Sequence, residues 1–341
     1  MAARGGRKGN RAPIIFLCII LVVLALYTAY WFVVRTQVER LVDDWISTER
    51  EAGAEIEYAG KSFGGFPYRV SMEFEDFKYR PAGQGTVWEG ERLQATMLAW
   101  NFYHYILRSP GQNKLTDTLT GELTEIDLRK KSALSLTLTA DGQLDKLVVA
   151  VDEADIMSPT GAYQIDGFGL QFGLVDETPE HARLAVAWDA IELPEDVVQY
   201  DWLGTSLKDG GINIEFKGMG SVIGEQPLLP RWRDADGRIE VAQIKGSLGP
   251  VKLGMKGNFK VSPDGLLNGP LQFRLEDGSQ LFETLKAQNM LTREQERTFE
   301  ILLSTFTDDK FASINVRDSR GEYLFFTLFE LPTAQFFESD L

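Results

Sequence analysis

One uninterrupted apolar segment constrains this sequence more than any other feature. Residues Ile14 to Val34 contain no charged side chain (IIFLCIILVVLALYTAYWFVV). As an α-helix, a run of this length spans roughly 30 Å, which is the thickness of the hydrocarbon core of a bilayer. The run therefore predicts a transmembrane helix over residues 14–34, preceded by a basic tail over residues 1–13.

The basic residues around this run predict its orientation. Four precede it and one follows it: Arg4, Arg7, Lys8, Arg11 and Arg35. Because basic flanks stay on the cytoplasmic side, we expect a cytoplasmic N-terminus with the bulk of the chain outside. A cleaved signal peptide is the alternative, but its apolar region is usually about 7 to 15 residues long. The aromatic end of the run, Tyr30 to Phe32, favours a retained anchor because such side chains prefer the membrane interface.

The outer part of the chain is acidic and has no thiol. Of 35 basic residues, five lie in positions 1–35, so 30 remain against 50 acidic residues and the net charge is −20. This charge disfavours nucleic-acid binding. The single cysteine, Cys18, lies in the apolar run, which excludes disulfides and sulfur-ligated metals from the outer part. A large domain without disulfides or an Asn-x-Ser/Thr site is typical of a bacterial periplasm, so we expect anchoring in the inner membrane.

Residues 35–53 continue the helical pattern beyond the anchor. Their apolar residues recur at helical spacing: Val38, Leu41, Val42, Trp45 and Ile46. Gly53 follows as a stop signal. We expect an amphipathic juxtamembrane helix whose apolar stripe docks on its own domain or on a partner helix.

From about Glu55 the apolar period changes from 3.6 to 2, which predicts strands. The alternating sets are Tyr68, Val70, Met72 and Phe74; Leu134, Leu136 and Leu138; and Leu253, Met255, Gly257, Phe259 and Val261. Asp141-Gly142 and Asp264-Gly265 predict tight hairpins, with Leu147 to Val151 and Leu271 to Leu275 as the returning strands. The expected fold is mainly β (α+β), with a large antiparallel sheet structure.

The similarity of the two hairpins suggests two related β-rich halves, residues 54–204 and 205–341, although unrelated hairpins explain it equally well. A capping-box spacing begins at Thr292 and predicts a helix over about 292–306. A preceding helix over Gln280 to Asn289 would complete a late helical hairpin. Tyr323 to Phe329 is apolar on both faces and predicts one buried central strand.

Candidate catalytic residues are sparse, and we expect no enzymatic activity, cofactor or metal. The histidines, His104 and His181, are too few for a typical zinc site. Signatures of nucleophilic hydrolases, phosphate-binding loops and zinc proteases are absent from the sequence. Acidic clusters could serve hydrolysis or calcium, but solvated strand ends explain them more simply. They are Glu73, Glu75 and Asp76; Asp152, Glu153 and Asp155; and Asp308 and Asp309.

A basic stripe is the one candidate binding feature with a regular spacing. Lys252, Lys256 and Lys260 lie four residues apart, so on a strand they project from the same side at intervals of roughly 13 Å. The stripe suits an anionic headgroup or an acidic partner. Lysines that discourage edge pairing on a solvated face are the alternative.

Three stretches together resemble a known family. They are the anchor followed by Trp45, the Gly65-Phe66-Pro67 strand entry, and Trp232-Arg233 leading through Gly237 to Leu248-Gly249-Pro250, Gly257, Asp264-Gly265 and Gly269. This order resembles an uncharacterised family of single-pass bacterial envelope proteins, a domain of unknown function of the DUF 2125 type. The usual pattern has two glycines where Asp236-Gly237 stands. The resemblance implies a location and an architecture, but no activity or catalytic residues.

Three functions follow as hypotheses. The first is a non-enzymatic envelope protein whose curved sheet shelters a lipid chain, by analogy with β-rich groove proteins. The second is an assembly protein that binds another envelope protein through a sheet edge or helix face. The third is a periplasmic hydrolase that uses paired carboxylates. For the first, the candidate lining residues are Met72, Phe74, Leu253, Met255 and Phe259, which would equally fill a closed core.

Overall fold

The protein is described by a computed structural model. It covers residues 12–129, 131–176, 178–198, 201–222, 227–276, 278–293, 296–297, 300, 312–323 and 326–330. Helix α1 spans Ala12–Glu51 and passes without interruption from the apolar run into the amphipathic segment. Gly53 follows with φ +100°, a conformation open to glycine that ends the helix. The helical extension expected beyond the apolar run is therefore present.

Eighteen strands and two shorter helices with defined bounds follow, and the described residues 293, 296–297 and 300 are also helical. In the first half the strands are β1 (Glu55–Glu57), β2 (Gly60–Gly64), β3 (Arg69–Arg80), β4 (Thr86–Leu98), β5 (Asn101–Arg108), β6 (Gly111–Asp117), β7 (Leu123–Leu128), β8 (Ala133–Leu138), β9 (Leu144–Ser158), β10 (Gly161–Val175) and β11 (Thr178–Glu192). The remaining elements are β12 (Ser206–Lys217), α2 (Leu228–Asp234), β13 (Arg238–Leu248), β14 (Val251–Val261), β15 (Leu267–Glu276), α3 (Gly278–Ala287), β16 (Ala312–Arg317), β17 (Arg320–Tyr323) and β18 (Phe326–Glu330). Short 3-10 turns lie at Glu195–Val197, Asp201–Leu203 and Met219–Ser221.

The strands form one antiparallel meander, which confirms the expected fold class. From β9 onward, each strand pairs with the next one in the chain. Nearer the helix, β1 and β2 pair with successive parts of β3. In the same way β5 and β6 share β4, while β7 and β8 share β9. Two consecutive short strands therefore act as one long strand with a break in three places: β1 with β2, β5 with β6, and β7 with β8.

Both predicted hairpins are confirmed. Strand β8 returns as β9 through Gly142 (φ +82°), and β14 returns as β15 through Gly265 (φ +74°). The sheet is continuous across position 205, because β11 pairs with β12. The division into two related halves stays a prediction.

The late part of the chain agrees only partly with expectation. Helix α3 confirms the helix predicted over Gln280 to Asn289. Most of the second helix, 292–306, lies outside the described residues. The single strand predicted for Tyr323 to Phe329 is wrong, because Tyr323 ends β17 and pairs with Phe326 at the start of β18. A uniformly apolar run gives no local signal for a turn, which explains the error.

Helix α1 packs on the first strands of the sheet. Two of its residues, Trp31 and Val34, lie in a buried cluster whose other members are Val70, Met97 and Ala99. Further along the helix, Ile46 is buried in a second cluster with residues of β1 and β3, namely Ile56, Met72, Phe74 and Phe77. Val38, Val42 and Ile46 of the juxtamembrane stripe therefore pack on the protein's own domain. Leu41 and Trp45 of the same stripe remain 69% and 45% exposed. Two further clusters lie toward the other end of the sheet, around Phe259 and around Trp232.

Candidate binding face

An apolar face crosses the middle of the sheet. In antiparallel pairs, residues directly opposite each other point to the same side. Phe168, Leu170 and Phe172 of β10 lie opposite apolar residues on both neighbours: Val151, Val149 and Leu147 on β9, and Trp188, Val186 and Leu184 on β11. Leu134 and Leu136 of β8 extend the row beyond β9. We name these eleven residues the central face.

The central face is continuous with the two packed ends of the sheet. On one side, Leu136 lies opposite Tyr105 of β5, which lies opposite Met97 of β4 beneath α1. On the other side, Leu184 lies opposite Ile214 of β12, and Ile214 packs on one of the buried clusters at the far end. One apolar surface therefore runs from α1 toward the far end of the sheet.

The central face differs from its two ends in burial. Its residues are half-buried, whereas Val70 and Phe74 under α1 are 1% and 3% exposed. None of the four buried clusters formed by the described residues includes a residue of β8 to β11. Strands about 4.8 Å apart give this four-stranded surface a width of about 14 Å. The central face is therefore apolar but lies outside the four buried clusters.

A line of irregular positions crosses the sheet beside the central face. Gly167 of β10 lies between Asp152 of β9 and Asp189 of β11. Asp189 in turn lies opposite Asp209 of β12. Gly167 and Asp209 have φ +64° and +51°. Toward α1 the line continues through the breaks between β7 and β8 and between β5 and β6, and it reaches Asp76 of β3. We name this line the crease.

At most positions along the crease the pairing is interrupted without a change of register. At Asp76 (φ +49°) the pairing passes from Glu75 with Arg92 to Phe77 with Gly90. Phe77 and Phe74, three residues apart, consequently pack in the same cluster under α1, which regular alternation would prevent. On β12 the line meets a register shift of the bulge type, between Lys208 and Gly211 in the pairing with β13.

Trp188 lies where the central face meets the crease. A β-carbon on Gly210 would come within 1.7 Å of its ring, so the indole covers the bare glycine backbone. Its Nε1 is buried and has no hydrogen-bond partner in the described part of the chain. Trp188 thus combines a flat apolar surface with an unused donor.

The lysine stripe lies on the opposite side of β14 from Phe259. Its three members, Lys252, Lys256 and Lys260, are all exposed. Lys260 Nζ donates to Asp236 Oδ1 at 2.8 Å, and Arg238 Nη2 donates to Oδ2 at 2.8 Å. These hydrogen bonds, that of Lys260 first, lower the pKa of the Asp236 carboxyl. One member of the lysine stripe is therefore paired with an acidic residue. The role of the lysine stripe as a binding track stays a prediction.

Asp236 also explains the departure from the glycine pair of the resembled family. Its φ is +58°, a left-handed conformation that favours glycine and that aspartate tolerates better than most residues. The next position needs glycine, since a β-carbon on Gly237 would come within 2.5 Å of Trp232. The backbone of this turn therefore accepts aspartate at the first position and glycine at the second.

Both histidines make structural contacts. His104 Nε2 is 2.8 Å from Ser135 Oγ on the neighbouring strand β8. His181 Nδ1 accepts a hydrogen bond from the Gly218 amide at 3.2 Å. Each ring therefore ties two segments of the chain together.

Two of the three acidic clusters contain carboxylates that are paired with basic side chains. Ion pairs join Glu73 to Arg92, Asp155 to Arg129, and Asp152 to Lys131. The last cluster, Asp308 and Asp309, lies outside the described residues. Within the part of the chain described, no group of three His, Cys, Asp or Glu side chains is placed to hold a metal.

Glu215 belongs to a charged cluster on the other side of β12 from Ile214. Lys217 Nζ and Arg183 Nη2 each donate to its carboxylate at 2.5 Å. These hydrogen bonds, that of Lys217 first, hold the pKa of the Glu215 carboxyl below its ordinary value. The arrangement stabilises an ionised acid, whereas a general acid at neutral pH needs a raised pKa.

The lining residues predicted from the sequence lie mostly in the covered ends. Met72, Phe74 and Phe259 are buried in clusters, as the closed-core alternative expects. Met255 packs against the cluster around Phe259, while Leu253 is 38% exposed.

The sequence predicts the returning strand Leu147 to Val151 but not the central face as a whole. The missed signal is the alternation of Phe168, Leu170 and Phe172, which recurs from Leu184 to Trp188. Alternation of this kind shows that a strand has an apolar side. It does not show whether a helix covers that side.

One protein family matches the chain. Residues 31–317 match the family described as an uncharacterized protein conserved in bacteria, DUF2125. The chain matches none of the curated proteins and none of the solved structures with which it was compared. Within the described residues, α1 is the one helix long and apolar enough to cross a membrane. Because the match covers most of its length, the chain belongs to the DUF2125 family of bacterial proteins.

Proposed function

We propose that this protein is a non-enzymatic, membrane-anchored component of the bacterial envelope that binds lipid chains on the central face. The observation that carries the proposal is the half-buried apolar row centred on Leu170, which has apolar neighbours on both adjacent strands. A protein normally covers such a surface or uses it to bind a partner. An apolar chain would remove this surface from water without requiring a polar match.

The apolar helix supports a location beside a membrane. Helix α1 is long and apolar enough to span one, and the basic residues before the run favour a cytoplasmic N-terminus. The sheet would then lie in the periplasm, next to the inner membrane. A lipid-binding surface tethered there meets its ligand at high local concentration.

A carboxylate-based hydrolase is the alternative. It requires two acids that converge in a cleft, with the pKa of one raised. Glu73 and Asp155 each contact a basic side chain, and the pKa of the Glu215 carboxyl is lowered rather than raised. These contacts support the non-enzymatic proposal over the hydrolase.

Site-specific photocrosslinking in cells tests the proposal. A photoreactive amino acid is placed at Leu170 on the central face, and the matched control carries it at Gln171, which is exposed on the other side of the same strand. After illumination, the full chain is purified and adducts are identified by mass spectrometry. We expect lipid adducts at position 170 and few at position 171.

Two results would contradict lipid binding. Equal lipid labelling at the two positions would indicate contact with bulk membrane rather than a bound chain. A protein adduct confined to position 170 would instead support the assembly hypothesis, in which an envelope protein covers the central face.

A further inference from the structure

One end of the sheet, beside the apolar run of α1, carries a set of exposed aromatic residues. We name this set the aromatic tip: Phe66, Tyr68, Trp100, Phe102 and Tyr103. Their exposed fractions are 53, 65, 55, 42 and 46%. They lie in or next to the turn between β2 and β3 and the turn between β4 and β5. Tyr68 and Trp100 come together across the two turns, with ring centroids 6.5 Å apart.

Hydrogen bonds fix the aromatic tip against the apolar run. Tyr27 Oη donates to the Pro67 carbonyl at 2.6 Å, and Tyr30 Oη donates to the Ala99 carbonyl at 2.9 Å. Trp31 Nε1 donates to the carbonyl of the first residue of β3 at 2.8 Å. Both turns are therefore tied to residues that belong to the predicted membrane span.

The helix geometry gives the depth of these contacts. Tyr27 and Trp31 precede the end of the apolar run at Val34 by seven and three residues. At 1.5 Å per residue, the tip contacts lie about 5 to 10 Å inside the end of the run. Amphipathic segments that lie in a membrane interface bury their apolar side to about the same depth.

The composition of the two turns suits a lipid environment. Residues 62–68 and 93–107 contain no Asp, Glu, Lys or Arg, in a chain where these make up 25% of residues. Tyrosine and tryptophan are the side chains that membrane proteins concentrate at the interface, since their rings are apolar and their polar atoms reach water or headgroups. If the aromatic tip did not contact a membrane, its exposed rings would face water.

We propose that the aromatic tip inserts into the leaflet that holds the C-terminal half of the apolar run. The protein then contacts the bilayer at two places, the spanning helix and the end of the sheet. The second contact fixes the orientation of the sheet, because a rigid body that meets the bilayer at two places cannot tilt freely. Insertion does not depend on lipid binding by the central face.

The inserted tip would also bring lipid to the start of the apolar surface. Met97 and Tyr105, which continue toward Leu136, belong to the two strands that meet at the Trp100 turn. Movement of a lipid from the tip onto the central face is the part of this inference that rests on the proposed function.

Depth-dependent fluorescence quenching tests the insertion. The full chain with Cys18→Ser carries one new cysteine, Trp100→Cys, labelled with an environment-sensitive dye. It is reconstituted into phosphatidylcholine and phosphatidylglycerol nanodiscs that contain doxyl-labelled lipids. The matched control is Leu119→Cys, which is 87% exposed beyond the opposite end of β4. We expect quenching several-fold stronger at position 100 than at position 119.

Phe102→Cys and Tyr103→Cys repeat the measurement at two further sites of the tip, so the result does not depend on one variant that folds poorly. Circular dichroism identifies the variants that retain the native sheet. Quenching at these positions no greater than at position 119 would overturn the insertion. Strong quenching at the tip together with a failed crosslink at Leu170 would retain the insertion and reject the proposed function.

Discussion

Two regions of one sheet carry the same apolar alternation and differ in what lies on them. On β3, Val70, Met72 and Phe74 are buried because α1 packs across them. On β10, Leu170 and its neighbours two residues away are equally apolar but only half-buried. Period-2 alternation therefore specifies which side of a strand is apolar. Whether that side becomes core or binding surface depends on elements distant in sequence.

The largest difference between the two regions should appear when the same side chain is removed from each. Phe74→Ala deletes a buried ring under α1 and should lower the free energy of unfolding by about 3 to 5 kcal/mol. Phe172→Ala deletes a half-buried ring and should lower it by about 1 kcal/mol. Urea unfolding of the full chain in detergent, followed by circular dichroism, measures both. Equal losses would show that the central face is covered as completely as β3.

Two adjacent glycines of β12 test the packing at the crease. Gly210→Ala places a methyl group 1.7 Å from the Trp188 ring, so Trp188 must move and stability should fall by about 1 to 3 kcal/mol. Gly211→Ala meets the end of Lys245 at 3.4 Å and should be neutral or slightly stabilising. The same unfolding assay compares them. A Gly210→Ala variant as stable as Gly211→Ala would mean that Trp188 does not lie over the glycine.

Two tryptophans provide a comparison of polar contacts. Trp31→Phe removes the hydrogen bond to the Arg69 carbonyl and should lower the free energy of unfolding by about 1 to 2 kcal/mol. Trp188→Phe removes a donor that has no partner among the described residues, so the loss in the same unfolding assay should be smaller. If Trp188→Phe proved as costly as Trp31→Phe, this would contradict the absence of a hydrogen-bond partner for its Nε1 within the part of the chain described.

The smallest expected effect concerns the charged cluster around Glu215. The pKa of this carboxyl is lowered from 4.5 in the folded protein. Its contribution to stability is therefore complete above about pH 4.5 and is lost as the pH falls toward the folded-state pKa, because the unfolded chain binds the proton first. Glu215→Gln should lose less stability than the wild type on acidification from about pH 5 to pH 3. Parallel profiles of unfolding free energy against pH would contradict this contribution.

Local features of the fold could be predicted from the sequence, while features that depend on alignment between strands could not. The hairpins at Gly142 and Gly265 and the extension of α1 follow from residues within a few positions of each other. The crease depends on Asp76, Gly167 and Asp209, which lie far apart in the chain and form a line only after the strands pair. A single aspartate in an alternating strand gives no indication of such a line.

The candidate site shows the same limit. Alternation predicts apolar sides for Met72, Phe74 and Phe259, but these side chains are covered in the structure. The aromatic tip is partly visible in the sequence as the Gly65-Phe66-Pro67 strand entry and the aromatic residues around His104. Their common position beside the apolar run requires the pairing of β3 with β4 and the hydrogen bonds from the tyrosines of α1.

The meander described above also has a consequence for biogenesis. Each long strand pairs with the one made just before it, so nearly all pairings join segments close in the chain, which favours rapid formation of contacts. If the chain is exported as proposed, the strands that dock on α1 emerge first, and every later strand finds an edge already formed. The sheet can then grow one strand at a time from α1 outward, without waiting for the C-terminus.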